Sequence, residues 1–197
     1  MRRRAFLQAA REVFLEQGYE AANMSEIVRR AGGSLTTLYN QFGDKQGIFM
    51  AMVEDGLGEI THAMEVELQD HAPVREGLQR IGLQFVSQLM QPDSLELYRL
   101  IVSLARQFPD VAKSFSKKGP DKVRASLAAY LEDREAAGEI HAGDSTQLAT
   151  LFLDMVRLGL QSRALLDASI RPTHSEISAT VERAVEVFLN GVAVRPV

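Results

Sequence analysis

The chain of 197 residues contains no cysteine. Disulfides and cysteine-ligated zinc are therefore excluded, and a reducing compartment suits it. No apolar run approaches the roughly 18 residues that a membrane-spanning helix needs. The arginines at positions 2–4 are followed by a stretch that Gln8, Arg11 and Glu12 interrupt, so no secretory apolar segment forms there. No membrane partner is expected, and a cytoplasmic location is. Strand-like alternation, fixed-period repeats and low-complexity tracts are missing. So are HExxH, P-loop, GxSxG and dinucleotide signatures. The four histidines, His62, His71, His141 and His174, are scattered and share no carboxylate-supported metal spacing. The chain is expected to hold no cofactor and no metal, and not to be an enzyme.

What is present is helix. With 46% hydrophobic residues the chain can bury a substantial core in at most two modest domains. Phe6, Ala10, Val13 and Phe14 lie at helical spacing and stop at Gly18. Met24, Ile27, Val28 and Ala31 repeat the pattern and stop at Gly32, with Asn23 and Glu26 spaced as a capping box. Leu35, Leu38, Tyr39 and Phe42 make a third short helix behind Ser34, a good N-cap. Asp44 caps a long helix running to about Asp70. Beyond it, helices are expected over Leu78–Leu89, about Ser94–Phe108, a short piece in 110–119, and about Pro120–Ala137, Ser145–Ala168 and Thr173–Asn190. The expected fold is all-α: a three-helix DNA-binding domain over residues 1–48, then a helical bundle over 49–197.

Charge is divided unevenly. Residues 1–50 carry seven Lys/Arg against five acids, and the remainder fifteen against twenty-one, giving the net −4. A mildly basic head on an acidic body points to a local anionic partner at the head.

The second and third helices are separated only by Gly32-Gly33-Ser34. So tight a turn sets two short helices at a steep angle, which is a helix-turn-helix. Ile27, Val28, Ala31, Leu38 and Phe42 lock the pair, leaving Thr36, Thr37, Asn40 and Gln41 facing out. Asn and Gln present a donor and an acceptor together and can pair bidentately with adenine, and a Thr methyl can touch the methyl of thymine. The flanking Lys45, Arg29 and Arg30 can hold phosphates, as can the amide groups opening the helix after Asp44.

The run Phe14-x3-Gly18-Tyr19-x3-Asn23-x3-Ile27-x3-Ala31-Gly32-x-Ser34-x3-Leu38-Tyr39-x2-Phe42-x2-Lys45 resembles the DNA-binding domain of the TetR/AcrR family of repressors. The likeness covers about residues 4–50. It implies that Thr36, Thr37, Tyr39 and Asn40 lie at DNA and that Lys45 contacts a phosphate. Gly33 stands where that family usually has Val, and Thr36 where a small Gly or Ala is common. Further on, Phe108-Pro109-Asp110-Val111-Ala112-x2-Phe115-x3-Gly119-Pro120, with Leu127 and Tyr130, is similar to the AefR-like subgroup.

The resemblance implies a palindromic double-stranded DNA operator, a homodimer and a small, mainly apolar effector bound in the bundle. Phe85, Leu89, Tyr98, Ile101, Phe108, Leu127, Tyr130, Phe152 and Met155 are the candidate ligand lining, with Tyr98 and Tyr130 as polar handles. Helical periodicity does not separate a filled core from a hollow one, so a ligand-independent regulator or activator stays open. The two-fold interface is expected on the last two helices, through Leu151, Leu158, Ser162, Leu165, Ile177, Val181, Ala184 and Phe188.

Overall fold

Every regular element is a helix among residues 2–69 and 72–192, the part that the computed structural model describes. In chain order these are α1 (Arg2–Ala21), α2 (Met24–Ala31), α3 (Leu35–Phe42), α4 (Lys45–Gln69), α5 (Val74–Leu89), α6 (Pro92–Leu104), α7 (Pro109–Lys118), α8 (Pro120–Ala136), α9 (Ser145–Leu166) and α10 (His174–Val192). The all-α class expected from periodicity is the class observed. Asp70, the expected end of the long helix, and His71 lie outside the described residues.

Local chemistry explains the boundaries. Gly18 at φ 75° breaks the helical course of α1 where the pattern stops. The side chains of Asn23, Ser34, Asp44 and Asp144 each accept from the backbone N–H three residues on, at 2.9, 3.1, 2.8 and 2.9 Å. Thr173 and Glu176 form a reciprocal capping box that opens α10: Thr173 N donates to the Glu176 carboxylate at 2.8 Å, and Glu176 N donates to Thr173 Oγ1 at 3.2 Å. Pro92, Pro109 and Pro120 open α6, α7 and α8, where a missing N–H costs nothing. The sixth helix ends four residues before the expected Phe108. Gln107 and Phe108 both donate back to the Leu104 carbonyl, at 3.0 and 2.8 Å, and Pro109 disfavours helical backbone at the residue before it.

Packing divides the chain into two compact units that do not follow chain order. The first comprises Met1–Glu59 with Glu96–Lys118; the second comprises Ile60–Leu95 with Gly119–Val197. The expected boundary at 48/49 thus falls inside α4 and within the first unit. In that unit Phe6, Val13, Phe14, Ile27, Leu38, Ile48 and Phe49 are sealed from solvent, joined by Leu97, Ile101 and Leu104 from α6. Tyr19 lies at its aromatic centre, with ring centroids of Phe14, Phe49 and Phe108 at 5.7, 5.3 and 4.9 Å.

The second unit has its own core, in which Leu78, Ile81, Leu127, Leu131, Phe152 and Val185 are fully buried. Two glycines let its helices close on α5. A Cβ on Gly77 would stand 1.9 Å from the Tyr130 hydroxyl, and one on Gly82 would stand 2.7 Å from Val181 Cγ1.

Candidate nucleic-acid interface

The turn between α2 and α3 needs glycine. Gly32 and Gly33 sit at φ 70° and 121°. Phe6 Cζ lies 3.2 Å from where a Cβ on Gly33 would stand, so Phe6 takes the room that a larger residue there would need. The apolar contact that valine supplies in the resembled family is thus replaced from α1.

Helix α3 is anchored by Leu38, fully buried, and Phe42, 8% exposed, whose ring meets Phe6 edge-on at 6.2 Å. With those two turned inward, Thr36, Tyr39, Asn40 and Gln41 are exposed and Thr37 is half-buried. Thr37 is partly engaged, its hydroxyl 2.9 Å from that of Ser34. Leu35, which the periodicity groups with the inner face, is 40% exposed. It stands at the first helical position, where the chain is only beginning to turn inward, and its methyls extend the outer face beside Thr36. Tyr39 is 47% exposed and presents its hydroxyl outward. No residue from Leu35 to Phe42 is charged. The face therefore offers amides, hydroxyls and methyl groups, the complement of base edges in a major groove.

The flanking cations are differently placed. Lys45 donates to the carbonyls of Glu20 and Ala22 at 3.0 and 3.1 Å, with its ammonium 4.7 Å above the Tyr19 ring. One of its three N–H groups is left for a phosphate. Arg29 grips Glu26 through two hydrogen bonds of 2.7 Å. Arg30 bridges Glu26 at 2.8 Å and Glu16 at 2.8 and 2.6 Å, tying α2 to α1. The Glu26 carboxyl is drawn down to about 2, first by Arg29 and then by Arg30. Its carboxylate thus serves these arginines, while Asn23 caps α2 through its own side chain.

The expected ligand lining does not form one set. Phe85, Leu127, Tyr130 and Phe152 belong to the second unit's core, with Leu89 packed against it. Ile101 belongs to the first unit's core, with Phe108 packed against it, and Phe108 is drawn there by Tyr19. Tyr98 is also in the first unit, its ring 5.9 Å from that of Phe115. Met155 is 37% exposed and borders an open groove of about 420 Å³ with Ala179, Thr180, Arg183, Ala184 and Val187. Tyr130 is buried, its hydroxyl donating to the Ala72 carbonyl at 3.2 Å, and burial pushes its pKa up. Periodicity marks which residues are buried but not in which of two cores.

The expected dimer stripe divides as well. Leu151 and Leu158 are 50% and 56% exposed, Ser162 is exposed and Leu165 is partly buried. Ile177, Val181, Ala184 and Phe188 are instead buried in their own chain, Phe188 meeting Phe152 at 5.4 Å. They are the inner stripe of an amphipathic helix, and the outward apolar residue of α10 is Val187, 55% exposed.

Among the described residues, no group of three or more His, Asp or Glu side chains could hold a metal ion, and no helix is long and apolar enough to cross a membrane.

Comparison with known proteins places this geometry. A family model for the bacterial regulatory proteins of the TetR family matches residues 6–52, and one described as the C-terminal domain of AefR-like transcriptional repressors matches residues 76–191. The chain is similar to a TetR-family transcriptional regulator from Mesorhizobium loti, with a TM-score of 0.93 and 28% identity over 98% of this chain and 97% of that one. It is similar to the flavonoid-responsive regulator FrrA, with a TM-score of 0.78 and 27% identity over 99% and 98% of the two chains. The HTH-type transcriptional repressor ComR of Escherichia coli K12 is 27% identical over 175 residues, 85% of this chain and 81% of ComR. With more than half of its length matched by the AefR-like model and its head by the TetR one, the chain belongs to the TetR family of DNA-binding transcriptional regulators.

Proposed function

We propose that this chain is a repressor that binds a palindromic operator as a homodimer and leaves it when a small, mainly apolar molecule enters the C-terminal bundle. Residues 1–48 are the reading head and 49–197 the regulatory part. The observation that carries the reading is the uncharged outer face of α3, held in place by Leu38 and Phe42. Asn40, Gln41, Thr36 and Leu35 meet base edges. Thr37 and Tyr39 give hydroxyls to the backbone, with Lys45 and Arg29 beside them.

The effector site is assigned to the second unit's apolar core around Phe85, Leu89, Leu127, Tyr130 and Phe152. Support for an apolar effector comes from the similarity to FrrA, a flavonoid-responsive regulator. Effector binding displaces α4, whose first turn is fixed to the head, and the head spacing leaves the half-site spacing. A coupling of about 1–3 kcal/mol would weaken DNA binding about 5–150-fold. A second reading, a ligand-independent regulator or activator with a filled core, is favoured by one observation: Leu127 and Phe152 are sealed from solvent, and the Tyr130 hydroxyl is already satisfied.

Titration of flavonoids and other apolar molecules against the operator-bound protein separates the two. Release of DNA in step with ligand binding is expected. Tight ligand binding with unchanged DNA affinity would leave the ligand-independent reading standing.

A further inference from the structure

The outer face of α3 carries no charge, so the phosphates beside the groove it reads must be held from elsewhere. Several cations of the head already have partners. Arg29 is doubly bonded to Glu26, and Arg30 is shared between Glu26 and Glu16, with Glu12 at 3.8 Å. Lys45 caps the carbonyls that end α1. An arginine held by a carboxylate gains little from a phosphate, because the carboxylate must be displaced or left beside it.

Arg2, Arg3 and Arg4 are different. All three are exposed on the first turn of α1, and no acid occurs in residues 1–11. Their placement opposes the helix dipole, which favours anions at an N-terminus, so it costs the fold stability. A sequence that breaks a local rule in this way does so most often where function requires it. The cluster is also held near the reading helix. The Arg3 guanidinium lies 4.8 Å from the centroid of Phe42, the last residue of α3, and Phe42 packs edge-on against Phe6 of α1.

We propose that Arg2, Arg3 and Arg4 form the principal phosphate-binding patch of the head, gripping DNA backbone beside the C-terminal end of α3. Lys45 is then a positioning residue that fixes the start of α4 to the end of α1. The patch rests on the DNA-reading function proposed above.

Salt dependence tests the assignment. The full chain is titrated with the duplex it selects from a random pool, and with an unrelated duplex, between about 50 and about 300 mM salt. In an Arg2→Ala/Arg4→Ala variant Arg3 keeps its packing on Phe42. The slope of log affinity against log salt should become shallower by about 1.8, about 0.9 for each phosphate released. The loss should be alike for both duplexes, with base preference intact and an unchanged Tm. Lys45→Gln should lower Tm while changing the slope by less than one phosphate. An unchanged slope in the double arginine variant overturns the patch while leaving the reading helix in place. So does a Lys45→Gln slope loss equal to that of the arginine pair. Wild type that binds no duplex at the lowest salt overturns the patch and the DNA-reading function together.

Discussion

Asn40 and Leu35 mark the two kinds of contact that the reading face can make. An exposed amide pairs with a base edge through donor and acceptor at once, and loses both when truncated. Asn40→Ala should therefore cost about 1–3 kcal/mol against duplexes carrying the preferred base pair and almost nothing against duplexes already altered there. An affinity panel with every base pair substituted in turn would reveal that pattern; an equal loss on all duplexes would assign Asn40 to the backbone instead. Leu35 works by contact with methyl groups. Replacing single thymines by deoxyuridine removes the methyl and keeps the pairing, so one substitution should weaken wild type but not Leu35→Ala. The uncharged outer face was legible residue by residue, because Leu38 and Phe42 fix which way α3 turns. The exposure of Leu35 was not, since helical spacing alone groups a first-turn leucine with the inner face. Nor was the engagement of Lys45 by Glu20 and Ala22, which depends on a chain reversal after Gly18 that no periodic pattern encodes.

At the level of elements, the joint between α3 and α4 is the part on which any transmitted motion depends. A Cβ on Gly47 would stand 1.9 Å from the Phe42 carbonyl oxygen, closer than any real contact. Asp44 accepts from Gly47 N at 2.8 Å, and Gly43 N donates to Tyr39 O at 2.8 Å, so both sides of the turn are bonded. Gly47→Ala should force the first turn of α4 away from α3. We expect a Tm lowered by several degrees, as about 1–3 kcal/mol of strain implies, and a larger loss in operator affinity than in affinity for unrelated DNA. Wild-type stability and selectivity in that variant would show that the joint is looser than its geometry. Helix existence was plain from spacing throughout, and caps such as Asn23, Ser34 and Asp44 were visible in advance. Helix ends were less so: α6 stops at Leu104 because of Pro109, and an apolar pattern continuing to Phe108 hides the break.

On the scale of the whole molecule, the residues that periodicity makes alike are sorted by packing into different roles. Ile101 and Phe108 join the first unit's core and Phe85 and Phe152 the second's, though all four read as helical core positions. Ile177, Val181, Ala184 and Phe188 turn inward, while Leu151, Met155, Leu158 and Val187 remain outside. Those outward residues form the self-complementary surface that a two-fold dimer requires. Leu158→Glu should convert the dimer to monomer, seen by sedimentation, and abolish operator binding, because one head spans too few base pairs to discriminate. A dimer of undiminished affinity would place the interface elsewhere. The central claim, that α3 reads bases through uncharged side chains, is tested most directly by selecting bound duplexes from a random pool with the full chain at moderate salt. The account predicts a two-fold symmetric sequence whose preference disappears at one symmetric pair of positions when Asn40→Ala is used. Recovery of no symmetric sequence, or of the same sequence with the same preferences from both proteins, would contradict it.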